Sequence, residues 1–479
     1  MFYRLSDDVV FRAYDDFGLL TDLADYRYRL LNDSRRAWGE KYVSKSGAVI
    51  LAQLTRTPQD EEDIVAKLLQ IFTGVSHSSL LSDVNAFLDN FVAMGYVVSG
   101  TDAATCARQE ACGSSDISDS SQQVAGANTE EANIGADYFL RSLYIEVAAA
   151  CNERCAHCYI PYEVKNRFMA PELFYRIIAE GRKLNIVHVT LSGGEPLMHK
   201  DIIGFMSACR QNDLAVNVLS NLTLLTDEMI DEMRRNHLLS VQASLYAVDD
   251  VVHDAITNLK GSCELTKKNI LKLRAAGIPV QVSCPVIKQN KAYFPGVLDW
   301  AQAHNMRVVT EPEIYASYDH KGINLANRIS VDEFSAVLDQ QFAASYAANL
   351  YEDALVKEKY SADDPICTVC RYHFCIAADG RAFPCAGWQT NIIGDLRTQT
   401  VKDVWQNSPV IKNLRQIKRR DFPQCLDCQN RGYCTICMMR NANESTENDM
   451  FCINPLHCQF AALLKQKVQA FMAKSPSAV

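Results

Sequence analysis

Three cysteines stand in the run Cys151-Asn-Glu-Arg-Cys155-Ala-His-Cys158-Tyr159, and the spacing Cys-x3-Cys-x2-Cys lets one short loop aim three thiolates at a single centre. A structural zinc takes four protein ligands, so this loop leaves its centre one ligand short, and an open coordination position is a place for chemistry. Thiolates suit zinc, copper(I) and iron–sulfur centres alike, so residue type alone does not name the metal. A second field holds ten of the 18 cysteines: Cys367, Cys370, Cys375, Cys385, Cys425, Cys428, Cys434, Cys437, Cys452 and Cys458. Gly380 after Asp379 marks a hairpin turn inside it. Taken as an isolated fragment, its Cys-x2-Cys pairs would read as zinc ribbons. Cys209, Cys263 and Cys284 read as small core residues, Cys106 and Cys112 as incidental exposed thiols.

Thiols in these numbers are ligands only where the compartment keeps them reduced. Met1-Phe-Tyr-Arg-Leu-Ser-Asp-Asp lacks the regions of a signal peptide, and no apolar run approaches ~18 residues. The expectation is a soluble cytoplasmic protein whose cysteines form no disulfide framework. The net charge of −9 offers no basic face for a nucleic acid or an anionic membrane. A chain of 479 residues, 48% hydrophobic, suggests about three domains, each with its own core.

The elements that must position the first cysteine loop follow from periodicity. Strands are predicted at Leu143 to Val147, Val187 to Leu191, Ala215 to Ser220, Leu239 to Ser244, Val280 to Val286 and Arg307 to Glu311. Helices are predicted between them at Pro171 to Leu184, Asp201 to Gln211, Thr226 to Arg235, Glu264 to Ala276 and Phe294 to His304. Six strand–helix units in series imply a parallel sheet, with functional groups at the carboxyl ends of its strands. The cysteine loop follows the first strand. Leu191-Ser192-Gly193-Gly194-Glu195-Pro196 follows the second, where two glycines let backbone approach a ligand. Ser220-Asn221 ends the third and Ser244 the fourth.

The cysteine loop, with His157 as the aromatic before its third cysteine, resembles the cluster motif of the radical S-adenosylmethionine (radical SAM) family. The resemblance implies an α/β fold, a partial (β/α)6 barrel over residues 137–325. It implies a 4Fe-4S cluster on Cys151, Cys155 and Cys158, and S-adenosyl-L-methionine held by His157, Tyr159, Ser192, Gly193, Gly194, Glu195, Ser220, Asn221 and Ser244. Leu222 departs from the Thr-Asn-Gly that the family often carries after its third strand.

Beyond a helical bridge at 326–365, residues 366–479 resemble the SPASM domain of peptide-modifying radical SAM enzymes, which holds up to two auxiliary 4Fe-4S clusters. The family's interleaved pairing would give Cys385, Cys437 and two of Cys367, Cys370 and Cys375 to the first. Cys425, Cys428, Cys434 and either Cys452 or Cys458 would go to the second. Cys434 and Cys437 are separated by two residues where the pattern has three.

Residues 1–98 read as strands at Phe2 to Leu5, Val9 to Tyr14, Gly18 to Leu23 and Tyr26 to Leu31, then helices at Ser34 to Leu54, Glu61 to Phe72 and Leu80 to Met94. This winged-helix-like order is no DNA reader, because Leu80 to Tyr96 carries Asp83 and Asp89 and no Lys or Arg. It resembles the precursor-recognition domain of ribosomal-peptide biosynthesis, in which a leader peptide adds as a strand to the sheet. That edge is expected at Tyr26, Arg27, Tyr28 and Arg29. Residues 99–136, poor in large apolar groups, read as a flexible linker.

The resemblances together imply a ribosomal-peptide maturase. It would form an intramolecular thioether, carbon–carbon or carbon–oxygen cross-link, with a precursor peptide as substrate and a flavodoxin or ferredoxin as electron donor. Formylglycine formation is the alternative, but the aspartate that follows the hairpin cysteine in that family is Ala386 here. A peptide epimerase and a non-catalytic iron–sulfur binding protein are the others.

Overall fold

The computed structural model describes residues 1–30, 39–109, 138–310, 313–341 and 344–474. The chain divides into two compact units, Met1–Arg27 with Ser34–Tyr138, and Tyr28–Asp33 with Phe139–Val479.

The first unit has two three-stranded sheets. One pairs β1 (Phe2–Leu5) with β5 (Gln59–Asp60) and β6 (Val97–Gly100); the other runs β2 (Val9–Ala13), β3 (Phe17–Asp22), β4 (Glu40–Ser44). Helices α1 (Lys45–Leu51), α2 (Glu61–Leu68) and α3 (His77–Ala93) bury one stripe each against them, Leu80, Val84, Leu88 and Phe91 in the case of α3. Two expectations fail here. Tyr26–Leu30 is not a strand. The third strand of the second sheet is instead β4, within a stretch read as helix. Tyr42 lies opposite Leu19 with its ring 5.7 Å from that of Phe17, and the helix starts only where Ser44 accepts the Gly47 N–H. Cross-strand pairing overrides local propensity there.

The unit also continues past residue 98. α4 (Ala103–Arg108) packs on β6, and Arg4 Nε and Nη2 donate to the carbonyls of Cys106 (3.0 Å) and Gln109 (2.9 Å). Cys106 is fully buried, not an exposed linker thiol. Cys112 and the rest of the expected linker, 110–136, lie outside the described residues, as do Leu31 and Ser34 to Trp38.

The second unit is built on a nine-stranded sheet. Its parallel part runs β12 (Val308–Val309), β11 (Val280–Ser283), β10 (Leu239–Ser244), β9 (Ala215–Ser220), β8 (His188–Gly193) and β7 (Ser142–Ala148). The sheet continues from β7 into β13 (His373–Ile376), parallel to it, and then antiparallel into β14 (Arg381–Phe383) and β15 (Gly394–Asp395). The C-terminal hairpin is therefore part of the barrel's own sheet. Five helices alternate with the parallel strands as expected, and a further one, Asp250–Thr257, follows β10.

At the amino ends of the strands, the Tyr28 N–H donates to Ser240 Oγ at 3.2 Å and Arg307 Nε to the Leu30 carbonyl at 3.2 Å. Tyr28 and Leu30 thus hold the base of this sheet. Among the described residues no helix is long and apolar enough to cross a membrane.

Candidate active site

Beyond the carboxyl end of β7 the chain turns into the cysteine loop. Its Arg154 and Ala156 N–H groups donate to the Thr257 and Ile256 carbonyls at 2.8 and 3.0 Å, and Asn327 and Asn324 donate to the Ala156 and His157 carbonyls at 2.7 and 3.2 Å. Asn221 holds Asn152 at 3.0 Å. The loop is thus held by hydrogen bonds that pair four of its backbone groups and one of its side chains.

The Gly-Gly-Glu-Pro turn is joined to the stem of this loop. Gly194 N–H donates to the Ala148 carbonyl at 2.7 Å and Glu195 N–H to that of Ala150 at 2.9 Å. A Cβ on Gly194 would meet two carbonyl oxygens at 2.5 Å, so no other residue permits this approach. Glu195 is fully buried; Oε1 accepts from Leu197 N–H (2.9 Å) and Ser220 Oγ (2.7 Å), and Oε2 from Asn221 N–H (2.7 Å). It ties the turn after β8 to the turn after β9. Leu222, beside it, has φ of +63° and is fully buried.

Cys151, Cys155 and Cys158 line one cavity of about 390 Å³. Of the residues expected at the cofactor, His157, Tyr159, Ser192, Gly193, Gly194, Ser220, Asn221 and Ser244 line it too. Glu195 does not; it stands behind the wall as a positioning residue. Burial holds the His157 imidazole down near 4, so it is neutral, edge-on to Tyr246 with centroids 4.7 Å apart. Lys165 Nζ lies 3.2 Å from Cys158 Sγ, and Cys155 Sγ 3.3 Å from Glu153 Oε2, whose carboxyl burial pushes up to about 7.

Sequence reasoning missed Tyr144, Glu153, Lys165, Gln242, Tyr246 and Tyr315, all of which line the cavity. A signal existed for some. Strands covered on both faces read as continuous apolar runs, yet Tyr144 and Glu146 alternate on β7, and Ser240, Gln242 and Ser244 on β10. Such polar alternation marks the inward face.

The C-terminal thiols fall into two groups. Cys385 faces Cys437, Cys367 and Cys370, each of whose negative charge would raise its affinity for a proton. Cys425, Cys428, Cys434 and Cys458 line a second, smaller cavity with Arg419, Arg431 and His457. Cys375 is buried on β13 among Ala377 and Phe383, and Cys452 is exposed outside the second cavity. Grouped thiols of this kind suit an iron–sulfur cluster.

Residues 145–301 match the radical SAM superfamily and residues 367–429 the SPASM iron–sulfur cluster-binding domain. The chain is 24% identical over 309 residues to the PqqA peptide cyclase of Granulibacter bethesdensis, which spans 60% of this chain and 79% of that one. In fold it is similar to Streptococcus suis SuiB bound to S-adenosylmethionine, with a TM-score of 0.60 at 13% identity over 95% of this chain and 99% of SuiB. SuiB bound to its precursor peptide SuiA overlaps to the same TM-score, at 14% identity. With three thiols and the two glycines of the Gly-Gly-Glu-Pro turn meeting at one cavity in the matched region, the chain carries a radical SAM domain followed by a SPASM iron–sulfur domain.

Proposed function

We propose that this enzyme matures a ribosomally made precursor peptide by joining two of its side chains, as a thioether or a carbon–carbon cross-link, with loss of two hydrogens. The observation that carries the reading is the N-terminal unit. Among the described residues no strand pairs with the outer edge of β4, and Val43 of β4 and Gly47 of α1 both pack beside Phe87 of α3. An open strand edge beside an amphipathic helix accepts an extended peptide by main-chain hydrogen bonds. The leader therefore belongs on β4 and α3 and not on Tyr26–Arg29, which are outside any strand. PqqA cyclase is named for a peptide substrate, and SuiB binds a precursor peptide.

Cys151, Cys155 and Cys158 would hold the 4Fe-4S cluster, leaving one iron for S-adenosylmethionine. Gly193 and Gly194 offer backbone to its amino acid end, and Ser220, Asn221 and Ser244 offer polar groups to carboxylate and ribose. When bound, the pair supplies a 5'-deoxyadenosyl radical that removes a hydrogen atom from the substrate. Glu195 keeps the Ser220 and Asn221 turn in place, and Tyr246 with neutral His157 walls the cavity with rings that neither lose nor gain a proton. Cys367, Cys370, Cys385 and Cys437 are assigned to one auxiliary cluster, and Cys425, Cys428, Cys434 and Cys458 to the other. Cys375 and Cys452 are left unligated.

The test is anaerobic reconstitution with iron and sulfide, followed by S-adenosylmethionine, dithionite and each candidate precursor peptide translated from short open reading frames sought beside the gene. Formation of 5'-deoxyadenosine with a peptide lighter by two hydrogens is expected. An unchanged peptide mass would sink the cross-linking reading.

A further inference from the structure

One buried acid has no part in holding the cofactor. Glu146 lies two residues beyond Tyr144 on β7, so both point to the inward face, and in the sheet register it stands beside cavity-lining Ser192. It is 2% exposed. Oε2 accepts from Gln389 Nε2 at 2.7 Å, while Oε1 is buried without a hydrogen-bond partner, and among the described residues no basic side chain pairs with it.

A buried carboxylate oxygen left bare is costly, the more so when the group is charged. Groups kept so are found where they have work to do. Of the other two acids near the cofactor, Glu195 spends both oxygens on the turns; Glu153 also leaves Oε1 unpartnered, but it sits two residues from Cys151 and from Cys155, with Oε2 at the Cys155 thiol, and so belongs to the cysteine loop.

The position is also distinctive. Gln389 is four residues past Cys385, so the carboxylate spans from the barrel interior to the chain leaving an assigned auxiliary-cluster ligand. Around it stand the phenols of Tyr144, Tyr159 and Tyr318, the thiol of Cys375 and the carboxylate of Asp379. Asp379 is itself paired with Arg167 and Arg381.

We propose that Glu146 is the terminal acceptor for the proton released from the substrate as the cross-link forms, reached past the cavity-wall hydroxyls of Tyr144 and Ser192, which lie 2.7 Å apart. The proposal rests on the cross-linking reading above. Of the two hydrogens lost, one leaves as an atom to the nucleoside radical, giving 5'-deoxyadenosine. The other leaves as a proton to Glu146 Oε1. The new bond joins the radical carbon to the deprotonated atom, and the electron left over passes to an oxidant of the iron–sulfur class. Burial pushes the Glu146 carboxyl up to about 7, with the Gln389 donation pulling the other way, which suits a base working near neutral pH.

The test uses the reconstituted holoenzyme and those candidate peptides, and reads cross-linked peptide formed per 5'-deoxyadenosine against pH. In the wild type this ratio should rise through about 7. Glu146→Gln should lower it on the order of 100-fold and abolish the rise, and Glu146→Asp should restore part of it. Gln389→Leu removes a donor that favours the ionised form, so it should move the midpoint to higher pH. In metal-free protein, an infrared carboxyl band titrating in the same range should be missing from Glu146→Gln.

Wild-type ratio and profile in Glu146→Gln, or an unmoved midpoint in Gln389→Leu, would overturn the proposal. Should Glu146→Gln fail to fold, by circular dichroism, then Glu146→Asp and Gln389→Leu decide it. A wild-type enzyme that makes 5'-deoxyadenosine but never changes the peptide's mass refutes the cross-linking reading first, and is told apart because no ratio exists to measure.

Discussion

Cys375 of the C-terminal hairpin lies in register beside Tyr144 of the first barrel strand, buried in one sheet although the two residues are 231 positions apart in sequence. Its thiol belongs to the core, with Phe383 and Ala377. Cys375→Ala should leave iron content and the auxiliary-cluster spectra unchanged while costing about 1 kcal/mol of stability for the small cavity left behind. Loss of iron in this variant would return Cys375 to the ligand set.

Changing Cys151, Cys155 and Cys158 together to Ala should abolish 5'-deoxyadenosine formation, by chromatography, while iron bound by the C-terminal thiols persists. Cleavage surviving in that variant would displace the cavity as the active site.

Leu222 occupies the left-handed region where the related motif has glycine. An L-residue there costs roughly 1–2 kcal/mol, offset by full burial of the side chain; the turn is pinned by Asn269 Nδ2 donating to the Leu222 carbonyl at 2.7 Å. Deleting a buried leucine side chain costs roughly 2–5 kcal/mol. Leu222→Gly should therefore be net destabilising by about 1–3 kcal/mol in chemical denaturation, despite the relief of backbone strain.

Glu146, Glu153 and Glu195 are each pushed by burial from 4.5 up to about 7. The folded chain holds these protons more tightly than the unfolded one. Their contribution to stability is complete below about 4.5 and is lost as pH rises through about 7. Each group contributes up to roughly 3 kcal/mol across that window. Metal-free protein should melt at a lower temperature at pH 8 than at pH 5, and Glu195→Gln should flatten part of that slope. A melting temperature that rises over this range would show the three carboxylates to be stabilised as anions.

Ala215–Ser220 and Leu239–Ser244 coincide with the strands read from sequence, because central parallel strands are covered on both faces and their apolar runs end where burial ends. The cysteine loop was legible for a different reason: ligand spacing is local. β4 was not, since Glu40-Lys41-Tyr42 becomes a strand only by pairing with β3. Glu146 was passed over as one residue in an apolar run; its meaning lies in Gln389, 243 residues away. The choice of Cys458 over Cys452 likewise depends on where the final helix, Pro455–Lys474, places its first turn.

The cysteine loop draws its support from Thr257, Ile256, Asn324, Asn327 and Asn221, none of which is a metal ligand. Small zinc domains gain their fold from the ion they bind. Here the cradle is braced by the surrounding polypeptide, so biogenesis can proceed in sequence: ribosome release, folding, then delivery of iron and sulfide to a receptacle already shaped. Oxidative loss of the inorganic core would leave a dormant but intact protein, open to repair without passing through the unfolded chain.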